Sequence, residues 1–231
     1  MEKVVEHVKS LYQIEQRTPE WYDARKNMLT ASDVATVIGK NPYEKYDNLV
    51  NRKSYGTNEF KGNFATVHGQ KHEDVARLLF GNMYDLETWE VGLFRHKEYE
   101  WLGGSPDGLA SDGSLIEIKC PIKREIEHKI PEYYYPQVQL CMEVLDIGKC
   151  YFIQYYPETI YNDGLLDVIE IMRDKGWFEE NFSKMENFWK TVLYNREHPE
   201  MKKEKVKRRI TEKKEKVQNE CMIVSDDDDD D

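Results

Sequence analysis

An α/β (α+β) fold with a central mixed β-sheet flanked by helices is predicted by three observations. Short strand-like segments, namely LIEIK (115–119), KCYFIQYY (149–156) and LLDVIEI (165–171), stand between longer stretches with helical periodicity. The two kinds are interleaved along the chain, so sheet and helices share one core. The composition can fill that core: 39% of the 231 residues are hydrophobic, among them 15 Tyr, 8 Phe and 5 Trp.

The elements follow in chain order. Residues 1–16 are mixed in character and read as an N-terminal helical extension. Residues 17–196 read as the globular body. In it, Ser32 or Asp33 is the expected N-cap of a short helix that ends at Gly39. A helix is predicted over 65–80, stopped by Gly81, and strands over 89–94 and 99–102. Pro136 suits the first turn of a helix running to about Ile147 and stopped by Gly148. Phe178, Phe182, Met185, Trp189 and Val192 recur at helical spacing, which predicts a helix over 177–195. Residues 197–231 form a charged tail, Lys/Glu-rich and then polyaspartate. Composition makes its end disordered. The KVKRR run (205–209) fits either a solvated segment or a nuclear-targeting or DNA-contacting one.

Composition also excludes. No stretch approaches the roughly 18 uncharged apolar residues of a membrane span. The opening MEKVVEHVKS lacks the apolar centre of a secretory signal, so an intracellular protein is expected. Cys120, Cys141, Cys150 and Cys221 form no CxxC pair, which argues against a disulfide framework, a zinc knuckle and an iron–sulfur cluster. The net charge is −11 although residues 201–217 hold nine Lys/Arg against three Glu. An acidic body acting on a polyanion needs bound cations, local basic clusters, or both.

The chemistry concentrates in GGSPDGLASDGSLIEIKCP (103–121). Alternation puts Leu115, Glu117 and Lys119 on one face of a strand, and Ile116 and Ile118 on the other. If Ser111-Asp112-Gly113 form a three-residue hairpin loop, residue 110 opposes 114 and Asp107 lies opposite Glu117. A two-residue loop would turn the Asp107 carboxylate away. Two carboxylates so placed repel unless a cation joins them or they share a proton. Hard oxygen ligands favour Mg²⁺, with Mn²⁺ as a substitute. Lys119 is then placed to orient or deprotonate a water, or to neutralise a phosphate. The same spacing also fits an exposed hairpin with a surface ion pair. Glu73 shares a helix face with Ala76 and Phe80, and Gln137 with Leu140, Cys141 and Val144. Both are expected to point inward. His68 and His72 stand four apart, but the zincin order HExxH is absent.

These residues resemble a known family. SPDGL (105–109) and EIKCP (117–121) look like the PD-(D/E)XK nuclease motif, and more narrowly like the lambda-exonuclease-type, YqaJ-like viral recombinase nucleases. WYDARKNMLTASDV (21–34), HGQKHEDVA (68–76) and PQVQLCM (136–142) resemble further motifs of that family, in its order. The resemblance implies a restriction-endonuclease-like core and one or two Mg²⁺ ions on Asp107, Glu117 and the Ile118 carbonyl, with Glu73 completing the shell. It implies that Lys119 positions or activates the nucleophilic water, that Gln137 orients Lys119 or the water, and that Arg25 and Ser32 hold a 5′-terminal phosphate. The implied activity is 5′→3′ exonuclease action on double-stranded DNA ends in viral recombination or repair, in host cytoplasm or nucleus. Implied partners are a single-strand annealing protein and further copies of the chain, a trimer in the family's exonucleases. An endonuclease or nickase using the same site is the alternative; a non-catalytic DNA-end binder would carry a damaged site.

Overall fold

A computed structural model describes residues 2–56, 64–122, 124–159, 164–200 and 202. The KVKRR run and the polyaspartate end lie outside the described residues. Seven helices and eight strands are described: α1 (Glu2–Ser10), α2 (Pro19–Lys26), β1 (Leu29–Thr30), α3 (Ala31–Val37), α4 (Tyr46–Tyr55), α5 (Phe64–Tyr84), β2 (Thr88–Trp89), β3 (Phe94–Arg95), β4 (Leu102–Gly104), β5 (Gly108–Ala110), β6 (Leu115–Lys119), α6 (Tyr135–Leu145), β7 (Lys149–Tyr156), β8 (Leu165–Met172) and α7 (Lys175–Glu197).

The central sheet is mixed. Its order is β2-β5-β6-β7-β8, with β6 and β7 parallel and the other neighbours antiparallel. A second sheet has the order β1-β4-β3, with β1 and β4 parallel. Parallel neighbours need a crossover, and α6 supplies it between β6 and β7. Period-two alternation sorts β6 between two apolar clusters. Ile116 and Ile118 pack with Ala76 and Phe80 of α5 and Tyr151 and Ile153 of β7. Leu115 joins Phe152, Val138 and Cys141 in the larger cluster on the opposite side. That larger cluster includes Met185, Phe188 and Val192, the inward stripe of α7. Val5 and Val8 are buried there too, which anchors α1 against the body.

Several boundaries differ from the sequence expectation, each for a local reason. Helix α5 runs through Gly81 to Tyr84 and ends where Asp85 turns left-handed (φ 52°). Gly81 serves packing instead: a Cβ there would stand 2.8 Å from the Leu86 carbonyl oxygen. Helix α6 ends at Leu145 because Asp146 adopts the left-handed conformation (φ 53°) before Gly148 is reached. The strand predicted over 89–94 is two strands in different sheets. The chain crosses between them at Gly92, where a Cβ would lie 2.3 Å from the Ile14 carbonyl oxygen. The strand predicted over 99–102 begins only at Leu102. Before it, His96 Nδ1 accepts the backbone N–H groups of Glu98 (3.1 Å) and Tyr99 (3.2 Å) and closes a turn. Thr30, rather than Ser32 or Asp33, is the N-cap residue of α3. The Asp33 carboxylate is committed elsewhere, to Lys53 (2.8 Å) and Arg52 (3.0 Å).

Candidate active site

Hairpin chemistry sets the site. Gly113 is left-handed (φ 84°), and the Ala110 N–H donates to the Ser114 carbonyl (2.9 Å), closing the three-residue loop. Gly108 pairs with Ile116 and Leu109 with Leu115. Continuing that register puts Asp107 opposite Glu117, as the loop length predicted. Asp107 lies just before β5, and its Oδ2 accepts the Ile118 N–H at 2.7 Å. A strand residue's N–H and C=O point to the same edge, so the Ile118 carbonyl faces the Asp107 side.

Glu117 is 1% exposed. Its Oε1 accepts from both Lys119 Nζ and Gln137 Nε2. Its Oε2 is buried and has no hydrogen-bond partner among the described residues. Lys119 Nζ also stands 4.0 Å from Asp107 Oδ2. Glu73 enters from α5 and meets Arg17 at 2.9 Å. Burial and the Asp107 charge push the Glu117 carboxyl up to about 8. The same causes push Glu73 up to about 7, against the pull of Arg17. Burial also raises Asp107. Burial works against the Lys119 charge, but the Glu117 and Asp107 carboxylates outweigh it and hold the ammonium protonated.

A cleft of about 170 Å³ is lined by Asp107, Glu73 and Gln137 together with Trp21, Arg25 and Ser32. Arg25 donates from Nη2 to Ser32 Oγ (2.9 Å), and its guanidinium lies 4.3 Å from the centroid of the Trp21 ring. The cleft thus gathers Asp107, Glu73, Gln137, Arg25 and Ser32, and Glu117 and Lys119 adjoin it through Gln137 and Asp107. A larger cleft of about 730 Å³, lined in part by Glu2, Glu6, Lys9, Asp85 and Trp89, gathers no comparable set of functional groups.

Sequence reasoning missed Trp21, Arg17, Gln16 and Ser105, all of which line the smaller cleft. Trp21 had a signal only as the first residue of the 21–34 motif; the structure then puts it four residues before Arg25 on α2, hence on the same face. Arg17 and Ser105 had none, because only the tertiary fold carries them to Glu73 and to Trp21 Nε1 (3.2 Å). The His68 and His72 rings stand 4.6 Å apart on α5. Among the described residues, no three His, Cys, Asp or Glu side chains are grouped to hold a metal ion. At the Asp107–Glu117 pair, Lys119 stands against both carboxylates, and Arg17 stands against Glu73.

Residues 20–147 match the model of the YqaJ-like viral recombinase domain. The chain is 30% identical over 165 residues to an uncharacterized protein of Acanthamoeba polyphaga mimivirus, covering 64% of this chain and 30% of that protein. It is 29% identical over 159 residues to a protein of African swine fever virus, covering 54% of this chain and 45% of that one. The chain thus spans less than half the length of these two relatives. Among solved structures it is similar to LHK-Exo, an alkaline exonuclease from Laribacter hongkongensis. Against LHK-Exo in complex with dAMP the identity is 30% and the TM-score 0.67, covering 82% of this chain and 100% of that one.

Proposed function

The chain belongs to the YqaJ-like viral recombinase family, and from that premise we propose that it is a metal-dependent deoxyribonuclease, a 5′→3′ exonuclease on duplex DNA ends. One observation carries the reading: Asp107 meets Lys119, which pairs with Glu117, and Asp107 lines the same cleft as Arg25 and Ser32. The alkaline exonuclease relative, and its complex with dAMP, favour DNA as the substrate.

The donor set fits a hard divalent cation. Glu117 Oε2 is a buried carboxylate oxygen without a partner among the described residues, and the hairpin register sets Asp107 opposite as a second carboxylate. Asp107, Glu117 and the Ile118 carbonyl would hold Mg²⁺ or Mn²⁺, with Glu73 completing the shell. When bound, such an ion polarises the phosphoryl group and acidifies a water.

The chain's own residues do the rest. Lys119 is held protonated by the two carboxylates, so it acts as a cation. It orients the attacking water and balances negative charge growing on the phosphoryl oxygens. Gln137, at the start of α6, holds Glu117 Oε1 in place. Arg25 offers a planar donor fork, pre-oriented on the Trp21 ring and by Ser32, to a terminal 5′-phosphate. That phosphate would fix the strand end and set the 5′→3′ polarity. A homotrimer and a single-strand annealing partner are proposed from the family relation alone.

The test is a time course with Mg²⁺ on three duplexes: linear with 5′-phosphate, linear without it, and covalently closed circular. Rapid loss of the first, slow loss of the second and an intact circle are expected. Nicking of the circle at the linear rate would replace the exonuclease by an endonuclease.

A further inference from the structure

A graded series of tyrosine rings leads from the Lys119 ammonium to the surface. Lys119 Nζ is 5.2 Å from the centroid of the Tyr134 ring. Tyr134 is 4.4 Å from Tyr133, and Tyr133 is 5.4 Å from Tyr43, centroid to centroid. Tyr134 and Tyr133 are half-buried, whereas Tyr43 is 78% exposed. Tyr134 also packs on the core beside Phe152 (5.7 Å), whereas Tyr43, at the outer end, is largely open to solvent.

The backbone that carries the outer ring is held firmly. The backbone N–H groups of Lys40 and Asn41 donate to the Ala35 carbonyl (2.7 and 3.1 Å). Asn41 Nδ2 donates to Thr36 Oγ1 (2.8 Å), and its Oδ1 accepts the Tyr43 N–H (2.8 Å). Cations flank the series. The Lys40 ammonium makes a solvent-exposed pair with Glu132 (2.9 Å), which costs little to give up. Arg124 donates from Nη2 to Gln154 Oε1 (2.7 Å), and Gln154 is the register partner of Lys119.

We propose that Tyr134, Tyr133 and Tyr43 form a stacking track for unpaired bases of the DNA strand whose phosphodiester lies at Lys119, with Lys40 and Arg124 beside its phosphates. The identity of the ligand rests on the nuclease reading above. The selectivity follows from physics. An aromatic face accepts any base, but a base inside a duplex has no free face to offer.

The full-length protein is tested in Mg²⁺ with two labelled probes, a phosphorothioate-linked oligothymidylate and a blunt duplex of the same length. Tyr43 is exposed enough that its replacement leaves folding intact. Tyr43→Ala is expected to weaken oligothymidylate binding by about five- to a hundredfold. Tyr43→Phe, which keeps the ring, should bind like the wild type, and duplex affinity should not move. A 2-aminopurine in the strand should be quenched by the wild type and brighter with Tyr43→Ala. Equal oligothymidylate affinity in the wild type and Tyr43→Ala, an equal loss on both probes, or no oligothymidylate binding by the wild type overturns the track. Hydrolysis of linear duplex by the wild type is read in parallel. Tyr43-dependent binding without hydrolysis rejects the nuclease reading alone; hydrolysis with Tyr43-independent binding rejects the track alone.

Discussion

Glu117 carries two donors on one carboxylate oxygen and none on the other, inside a 1% exposed side chain. A buried anion so placed is tolerable only with a proton or a cation close by. Lys119 supplies the cation here, and its replacement should therefore act on chemistry. Lys119→Ala is expected to lower the cleavage rate by about 10²- to 10⁴-fold with an unchanged circular dichroism spectrum. Cleavage by the variant at the wild-type rate would remove Lys119 from the mechanism. The raised carboxyls also set a pH dependence. In chelator, Glu117 is protonated in the folded state up to about 8 and Glu73 up to about 7, while both ionise near 4.5 when unfolded. Their stabilising contribution is therefore complete below 4.5 and lost as the pH rises toward about 8. Mg²⁺ should raise the melting temperature more at pH 8 than at pH 5, because only the ionised carboxylates gain from it. An increment that does not change with pH would contradict this.

At the scale of elements, the hairpin decides whether the two carboxylates meet. Gly113 is left-handed (φ 84°), which costs a residue with a Cβ about 1–2 kcal/mol. Gly113→Val should lower stability by about that amount and lower cleavage further, by loosening the β5–β6 register; Gly113→Asn should be milder. Denaturant melts beside cleavage rates check this. The register was legible in the sequence because loop length and strand alternation leave few alternatives. Strands β6 and β7 were legible to the residue for the same reason: they are apolar, uninterrupted and central. Helix α2 escaped because its eight residues carry no apolar stripe, only a capping threonine and Pro19. Helix α4 escaped similarly, with just Leu49, Val50 and Lys53 buried. The short edge strands escaped because Gly81 and Gly92 act through close approach, which sequence alone does not reveal.

At the scale of the molecule, a buried ion network ties α3 to α4. Asp33 joins Lys53 and Arg52, and Arg52 reaches Glu44 at 2.9 Å. Burial works against the Asp33 charge, but Lys53 and Arg52 outweigh it and hold the carboxyl far below its usual range. Its stabilising contribution is present above about 3.8 and is lost as the pH falls below that value, the reverse of Glu117. Asp33→Asn should destabilise by about 3–5 kcal/mol at neutral pH, because Lys53 keeps a buried charge without its partner. Chemical denaturation checks this, and an unchanged midpoint would contradict it. The sequence placed Asp33 at a helix cap and did not foresee the network, since Lys53 lies twenty residues away with no local pattern joining them. Among the described residues, no helix is long and apolar enough to cross a membrane.

We propose Glu117, with Asp107 and Lys119, as a metal-dependent phosphodiesterase centre. The most direct measurement is the rate of nucleotide release from 5′-phosphorylated linear duplex DNA in saturating Mg²⁺ by Glu117→Gln, which keeps the shape and removes the charge. The expected result is a loss of at least about 10³-fold with the fold retained. Release at the wild-type rate would contradict the assignment.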